Sequence, residues 1–348
     1  MSLIISSTKT HSQENGSELL MKNAADFRDI NEVKVNFDDL YSRKDPREYF
    51  KYLGRLDYII PHLAQPVFEQ IIRARAEQQD EPVTVLDLGC SYGVNGALIK
   101  YALDYEALRL RYTAPAFRSL PSDALLDLDR NFYRSWPKHD HVRVLGLDVS
   151  ANAVRYAQAC GAVDLGLAMD LENRDPVADE QEAFDGVDLI ISTGCVGYVS
   201  SKTFERLGRL VRNRRPVWVV SFVIRMFPFD DIASTLARQG LVTEKFEGAT
   251  FVQRRFADLD EMEAAVRAVE GRNIDTRGHE AEGLYHADLY VSRPPDEIER
   301  CPLNKLVTVV SGANKPWTVG TNVLATFGET ARRRAHAPRP RLTVAQAP

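Results

Sequence analysis

The chain is poor in cysteine, and its four cysteines, Cys90, Cys160, Cys195 and Cys301, stand far apart with no C-x-x-C and no Cys/His pair. That spacing argues against a zinc site or a disulfide framework, so no metal is expected and the thiols read as small buried residues of a reducing compartment. The chain also lacks any apolar run near the roughly 18–20 residues that span a bilayer. Its opening, MSLIISSTKTHSQ, has too short an apolar core for a secretory signal. Positive charge is not in excess either: 44 Lys and Arg against 49 Asp and Glu give a net charge of −5. No electrostatic footprint for nucleic acid follows from that balance. The expected setting is the cytoplasm, without a membrane or nucleic-acid partner.

What is present is ordinary for a globular protein, with 44% hydrophobic and 27% charged residues over 348 positions. One core domain with additions is the expectation. Residues 1–35 are rich in Ser, Asn, Lys and Glu and read as a disordered leader. Residues 36–80 read as a helical segment in two pieces split at Pro61, with Tyr49, Phe50, Leu53 and Leu56 in one and Val67, Phe68, Ile71 and Ile72 in the other at helical spacing. A core domain is expected over 81–295, and 296–348 reads as a C-terminal extension ending in a Pro/Arg/Ala-rich tail.

From Val83 the texture changes to short apolar runs alternating with helical pieces, the pattern of a parallel sheet covered on both faces. Strands are expected at 83–88, 142–147, 163–169, 187–192 and 217–224, and helices at 94–108, 151–160, 201–213 and 231–239, with Ser150 as an N-cap. LVTEKF and TFVQRRF flank Glu247-Gly248-Ala249 and could pair as a hairpin, followed by a helix near 259–270 and a strand at YHADLYV. The fold class is a doubly wound, mostly parallel α/β sheet.

The stretch Gly89-Cys90-Ser91-Tyr92-Gly93 admits two readings. It spells G-x-S-x-G, the nucleophile elbow of a serine hydrolase, but the segment upstream holds helices and no oxyanion-hole sequence. It also lies between a strand and a helix, where glycines let backbone turn and approach a ligand. A dinucleotide fingerprint would need glycine where Ser91 and Val94 stand, and a P-loop would need G-K-[ST] from position 94.

Asp87-Leu88-Gly89-Cys90-Ser91-Tyr92-Gly93 resembles the first motif of class I S-adenosylmethionine (SAM) methyltransferases, with Ser91 where glycine is commoner. The resemblance extends over residues 83–225 and implies a seven-stranded Rossmann-like sheet, SAM as cofactor, and methyl transfer. It implies that Asp87, Gly89, Cys90, Ser91 and Gly93 contact SAM, that Asp148 with Val149 at the end of the second strand takes the ribose, and that Asp170 and Leu171 meet the adenine. Thr193 and Gly194, after the fourth strand, would lie beside the sulfonium. Asp148 follows Asp87 by 61 residues, so residues 104–140 read as a helical insertion, either an acceptor cover or an outer layer.

Methyl transfer from SAM is an in-line displacement that depends on alignment, so no catalytic triad is expected. The loop Ser192-Thr193-Gly194-Cys195-Val196-Gly197-Tyr198 lacks the Asn/Asp-Pro-Pro-aromatic pattern used on amines of bases. A small metabolite or natural product is therefore the leading acceptor, with a protein or peptide acceptor and a non-catalytic SAM-binding subunit as alternatives. Position alone nominates Tyr198, Arg225 and Phe227 for the acceptor, and Tyr198, His279, Glu280 and His286 for catalysis. Tyr41, Tyr49, Tyr52 and Tyr58 give the N-terminal helical segment the character of a lid, with Tyr52 nominated against the acceptor.

Overall fold

In a computed structural model of the chain, residues 43–211 and 215–309 are described; the leader, Tyr41 and the tail beyond 309 lie outside them. The five central strands are β1 (Val83–Leu88), β2 (Val142–Asp148), β3 (Leu165–Ala168), β4 (Leu189–Thr193) and β5 (Trp218–Ile224). They run parallel in the order β3-β2-β1-β4-β5. Beyond them come β6 (Val242–Lys245), β7 (Phe251–Arg255) and β8 (Leu284–Arg293), with β8 antiparallel to β5. The fold class is the doubly wound α/β sheet expected, with eight strands in place of seven.

The extra strand arises from the length of β8. Its second half carries β6 and its first half carries β7, both antiparallel and on the side away from β5. β6 and β7 thus follow one another in line along β8 and cannot fold back on each other, so the expected hairpin does not form. Ile224, the last residue of β5, pairs with Ala287, whereas β7 continues along β8 to Leu284. β7 therefore projects past the carboxyl edge of the parallel strands.

Every residue of β1 and β5 is buried, as a two-sided layer requires. One face packs on α2 (Ile60–Ala76), α3 (Val94–Lys100) and α6 (Ala151–Cys160), through residues such as Phe68, Ile71, Leu98 and Ala157. The other packs on α7 (Ser201–Leu210), α8 (Asp230–Arg238) and α9 (Leu259–Glu270), through Phe204, Leu207, Leu236 and Val269. Ser150 caps α6 by accepting from the Ala153 N–H. Among the described residues no helix is long and apolar enough to cross a membrane.

Several boundaries differ from the sequence expectation. The helix expected over 94–108 stops at Lys100, because Tyr101 is extended and bridges Lys138; α4 (Tyr105–Thr113) then starts afresh on an Asp104 cap. The N-terminal break falls at residues 56–59, between α1 (Arg47–Arg55) and α2. Pro61 instead lies in the first turn of α2, where its missing N–H removes no helical hydrogen bond.

The insertion forms α4 and α5 (Ser122–Arg134) and buttresses α1. Phe50 of α1 stacks on Tyr112 of α4 at 4.7 Å, and Asp45, just before α1, accepts from Ser122 Oγ at 2.6 Å and from Arg47. Asp129 of α5 is fully buried and accepts from Arg111, Tyr112 and Tyr156, which ties α4 and α5 to α6. An acid in that position is stable because three donors replace its water.

At the amino edge of the sheet, Arg75 of α2 and Arg293 of β8 each lie 5.4 Å from the ring of Trp218. Arg75 faces Asp188 at 3.7 Å and Glu297 at 4.0 Å and donates to the Pro216 carbonyl at 3.0 Å. Replacing a buried cation while its carboxylates remain leaves charge uncompensated. Arg75→Met, which keeps the stem against Trp218, is expected to lower unfolding stability by about 3 kcal/mol, measured by urea denaturation.

Candidate functional site

The carboxyl ends of β1, β2 and β4 meet in a cluster of tight loops. After β1 the chain passes through Gly89 (φ +74°), Ser91 (φ +48°) and Gly93 (φ +76°) before α3 begins. Ser91 is a non-glycine residue in the left-handed region, a conformation that costs roughly 1–2 kcal/mol. Its N–H is held by the Asp148 carboxylate at 2.9 Å, a charge-assisted bond that offsets the strain. The second carboxylate oxygen accepts from the Ser150 N–H at 2.9 Å. Burial raises the Asp148 pKa, while the N–H groups of Ser150, Ser91 and Val149 pull it down.

Asp87, the fifth residue of β1, is fully buried. Burial pushes its pKa up to about 7, against a hydrogen bond from Asn95 that lowers it and repulsion from Asp148 that raises it. Asn95 Nδ2 lies 3.3 Å from Asp87 Oδ1 and 3.0 Å from Thr193 Oγ1, so α3 links the ends of β1 and β4. Among the described residues, three buried polar atoms here have no hydrogen-bond partner: Asp87 Oδ2, Asn95 Oδ1 and Ser91 Oγ. Asn95 Oδ1, an amide carbonyl, can only accept, and Asp87 Oδ2 accepts when the carboxyl is ionised. Buried acceptors in such a state are unfavourable until a donor arrives.

The loop after β4 lies against this floor. A Cβ on Gly89 would come within 2.8 Å of the Cys195 Cβ, and one on Gly194 (φ +69°) within 2.2 Å of the Gln253 Nε2. Gln253 belongs to β7, so the projecting strand places its amide over the Gly194 turn. A Cβ on Gly197 would sit 2.5 Å from the ring of Phe227, which fills that space. Tyr198, 47% exposed, stands at the end of this loop. Burial pushes the Cys195 thiol up to about 12 and the Cys90 thiol well above its usual range. Both stay protonated at neutral pH and neither serves as a nucleophile.

The outer rim is formed by Val149, 69% exposed, and by the turn after β3. Leu171 in that turn is buried. The Asp170 carboxylate closes its own turn, accepting from the N–H groups of Glu172 and Asn173 and from the Asn173 side chain.

The remaining nominated residues gather elsewhere, beneath the 3-10 turn Glu280–Glu282. Arg225 pairs with Glu280 at 3.0 Å and donates to the Asp275 carbonyl. His286 is fully buried with Nδ1 3.0 Å from Thr250 Oγ1, and its ring meets that of His279 at 4.8 Å. Arg225, Glu280 and His286 are thus enclosed in a polar cluster joining β5 to β8, and His279 is the half-buried member.

Sequence reasoning missed Asn95 and Gln253, and it named Tyr58 as a lid tyrosine without the strand that its connector joins. The connector between α1 and α2 runs beside β7: the Ile59 N–H donates to the Gln253 carbonyl at 2.9 Å, and the Arg255 N–H to the Leu56 carbonyl at 2.7 Å. Asp57 pairs with Arg255 at 2.6 Å. Tyr49, Tyr58 and Tyr92 meet edge-on above the β1 loop at 5.9–6.3 Å. Tyr52 is partly buried on the same segment, near enough to Arg254, Glu261 and Asp258 to feel their charges. The periodicity of α1 gave the tyrosines but not their partner strand.

No known family's sequence profile matches the chain, and no curated protein matches it in sequence. Among solved structures, a TehB-like SAM-dependent methyltransferase from Corynebacterium glutamicum is 15% identical, covering 64% of this chain and 86% of its own, with a TM-score of 0.31. Magnesium protoporphyrin IX methyltransferase from Synechocystis, with bound SAM, is 13% identical over 77% of this chain and 97% of its own, with a TM-score of 0.33. The plantazolicin methyltransferase BpumL, in complex with SAH, is 12% identical over 78% and 99%, with a TM-score of 0.36. At these values the likenesses assign no family, and function rests on the site itself.

The buried cluster gives a pH signature. Burial, with repulsion from His279 and Arg225, lowers the His286 pKa from 6.5 to about 3. Between those values the unfolded chain binds the extra proton, so stability is full above pH 6.5 and is lost as pH falls toward 3. Glu280, raised by burial from 4.5 to about 7, acts in the opposite sense between those two values, so below pH 4.5 its opposing contribution is complete while the histidine's continues to 3. His286→Asn is expected to flatten the stability loss there by up to about 1.4 kcal/mol per pH unit, measured by urea unfolding at successive pH values.

Proposed function

We propose that this protein is a cytoplasmic SAM-dependent methyltransferase acting on a small metabolite or natural-product acceptor. The observation that carries the reading is the pair of buried acceptor atoms without a partner, Asp87 Oδ2 and Asn95 Oδ1, at the carboxyl end of β1. They suit a ligand bearing several N–H donors and positive charge, which describes the amino-acid end of SAM. Asp148, at the end of β2, is a carboxylate of the kind that accepts from ribose hydroxyls. Val149 offers exposed apolar surface for the adenine, with Asp170 beside its amine and Leu171 packed beneath the same turn. The left-handed turns at Gly89, Ser91, Gly93 and Gly194 bring main chain close to the same space.

When bound, SAM supplies a methyl group already activated on a positively charged sulfur. The work left to this chain is binding, alignment and exclusion of water. Asp87 and Asn95 fix one end of the cofactor and Asp148 the other. Thr193 and Gly194 lie between, and Tyr49, Tyr58 and Gln253 shield that space from solvent. Tyr198 at the loop end offers a ring wall and a hydroxyl to orient the acceptor, with Phe227 seating the loop. The enclosed Arg225, Glu280 and His286 act as supports, which leaves Tyr198 and His279 as the groups able to handle an acceptor proton. Whether the acceptor is a small molecule or a peptide is read by supplying isotopically labelled SAM to extract separated into small-molecule, protein and RNA fractions. Label in the small-molecule fraction supports the proposal, and label in protein alone replaces it with the peptide reading.

Asp148→Ala is expected to weaken SAM binding by about 1.5–3 kcal/mol, or roughly 10- to 100-fold, in calorimetry on the folded protein. Unchanged affinity would remove the ribose assignment.

The hydrolase reading needs a base at Ser91, yet Ser91 Oγ is buried without a hydrogen-bond partner. Ser91→Ala is expected to retain SAM binding, and the wild-type protein to show no esterase activity toward short-chain nitrophenyl esters. Esterase activity lost on that substitution would reverse the conclusion.

A further inference from the structure

β7 carries one residue more than its partner strand. Val252 pairs with His286 and Arg254 with Tyr285, so Gln253 is the extra residue of a β-bulge. A bulge re-aims side chains and is over-represented beside active sites. The Gln253 carbonyl accepts from the Ile59 N–H at 2.9 Å, which fixes the residue from the side of the connector.

Its side chain reaches the turn after β4. A Cβ on Gly194 would meet Gln253 Nε2 at 2.2 Å, so the amide occupies the space that this left-handed glycine leaves. Gly194 follows Thr193, whose Oγ1 is 3.0 Å from Asn95 Nδ2. The amide therefore stands one residue beyond the floor on which Asp87 Oδ2 and Asn95 Oδ1 lack partners. Gln253 is only 7% exposed, yet among the described residues no hydrogen bond holds its amide. Its charged neighbours are already paired, Arg254 with Glu261 at 2.6 Å and Arg255 with Asp57 at 2.6 Å. What β7 presents to the crevice is a neutral group that can both give and take a hydrogen bond.

We propose that Gln253 binds the methyl acceptor and sets its class: a molecule with a neutral group that donates and accepts, such as a carboxamide or a hydroxyl, beside the methylated atom. The inference rests on the methyl-transfer reading and deepens it. In that reading Asp87 and Asn95 take the amino-acid end of SAM and Asp148 the ribose. The sulfonium between them offers neither a lone pair nor an N–H or O–H to an amide, so the polar group that meets Gln253 belongs to the acceptor. An anionic group in that place would find both neighbouring arginines occupied by carboxylates.

The test follows initial rates of label transfer from isotopically labelled SAM into extract supplied in limiting amount, read in whichever fraction takes the label. Calorimetry with S-adenosylhomocysteine reports the fold and the cofactor site of each variant. Gln253→Met keeps the reach of the side chain over Gly194 without the amide, and Gln253→Glu keeps its shape but, ionised, can only accept. Both are expected to bind S-adenosylhomocysteine within about twofold of wild type and to lose transfer by about tenfold or more, the scale on which an unpaired buried polar group is felt. The loss is expected to shrink as extract is raised, because acceptor binding is what is weakened. Transfer within about twofold of wild type in Gln253→Met overturns the proposal, since packing alone then suffices. Undiminished transfer in Gln253→Glu overturns the neutral class, and that variant decides alone should Gln253→Met fail to fold. A loss that stays constant as extract is raised, or a loss of S-adenosylhomocysteine affinity by about tenfold, also overturns the proposal, by assigning the amide to the loop or to the cofactor. A wild type that binds S-adenosylhomocysteine but labels no fraction removes the proposal and leaves the cofactor assignment standing. A wild type that does not bind it removes the methyl-transfer reading and the proposal together.

Discussion

The bond between the Ser91 N–H and the Asp148 carboxylate is the constraint on which the site depends. It joins the loop after β1 to the end of β2 and holds a non-glycine residue in the left-handed region. Without that acceptor, the loop would relax toward ordinary backbone and fill the crevice it borders. The carboxylate is buried by the loop it orders, so the charge that could bind a ligand and the turn that leaves room for one are maintained by the same contact. Parallel sheets bind at their carboxyl ends because the loops diverge there; here the divergence is fixed by one acid.

The additions to the sheet form a second system built around the first. The insertion carries a buried acid, Asp129, whose three donors come from α4 and α6, and so provides a firm back for α1. α1 in turn presents Tyr49, and the connector after it presents Tyr58. The insertion is therefore more than an outer layer: it props α1.

Much of the central sheet was legible because two-sided burial leaves continuous apolar runs, as in VTVLDL of β1 and WVVSFVI of β5. Asp148 and the glycines of the first loop were legible from their place at strand ends, and the structure brings them to one edge. β7 was not. Its VQRR sequence looks like a solvated hairpin arm, and its polar residues are matched only in three dimensions, Arg254 by Glu261 and Gln253 by the space over Gly194. Asn95 sits inside a helix with no flanking signal. Asp129 lies in the charged run DLDRNFYR, where a buried acid cannot be told from exposed ones without Tyr112 and Tyr156. The connector at 56–59 and β7 are far apart in the chain, and pairings of that kind leave no local trace.

The ten residues of β8 serve both β6 and β7, and this sets an order on assembly. A ribosome delivers the connector at 56–59 early, but its partner β7 has no ladder to join until the chain has been made through Arg293. Non-local pairings of this sort form late and slowly. During synthesis the tyrosine-rich opening of the domain must wait, its apolar rings uncovered, while some two hundred further residues emerge. The part of the crevice nearest the start of the chain is thus the last to be finished, and a nascent protein halted before β8 would have the β1 loop without β7 beside it.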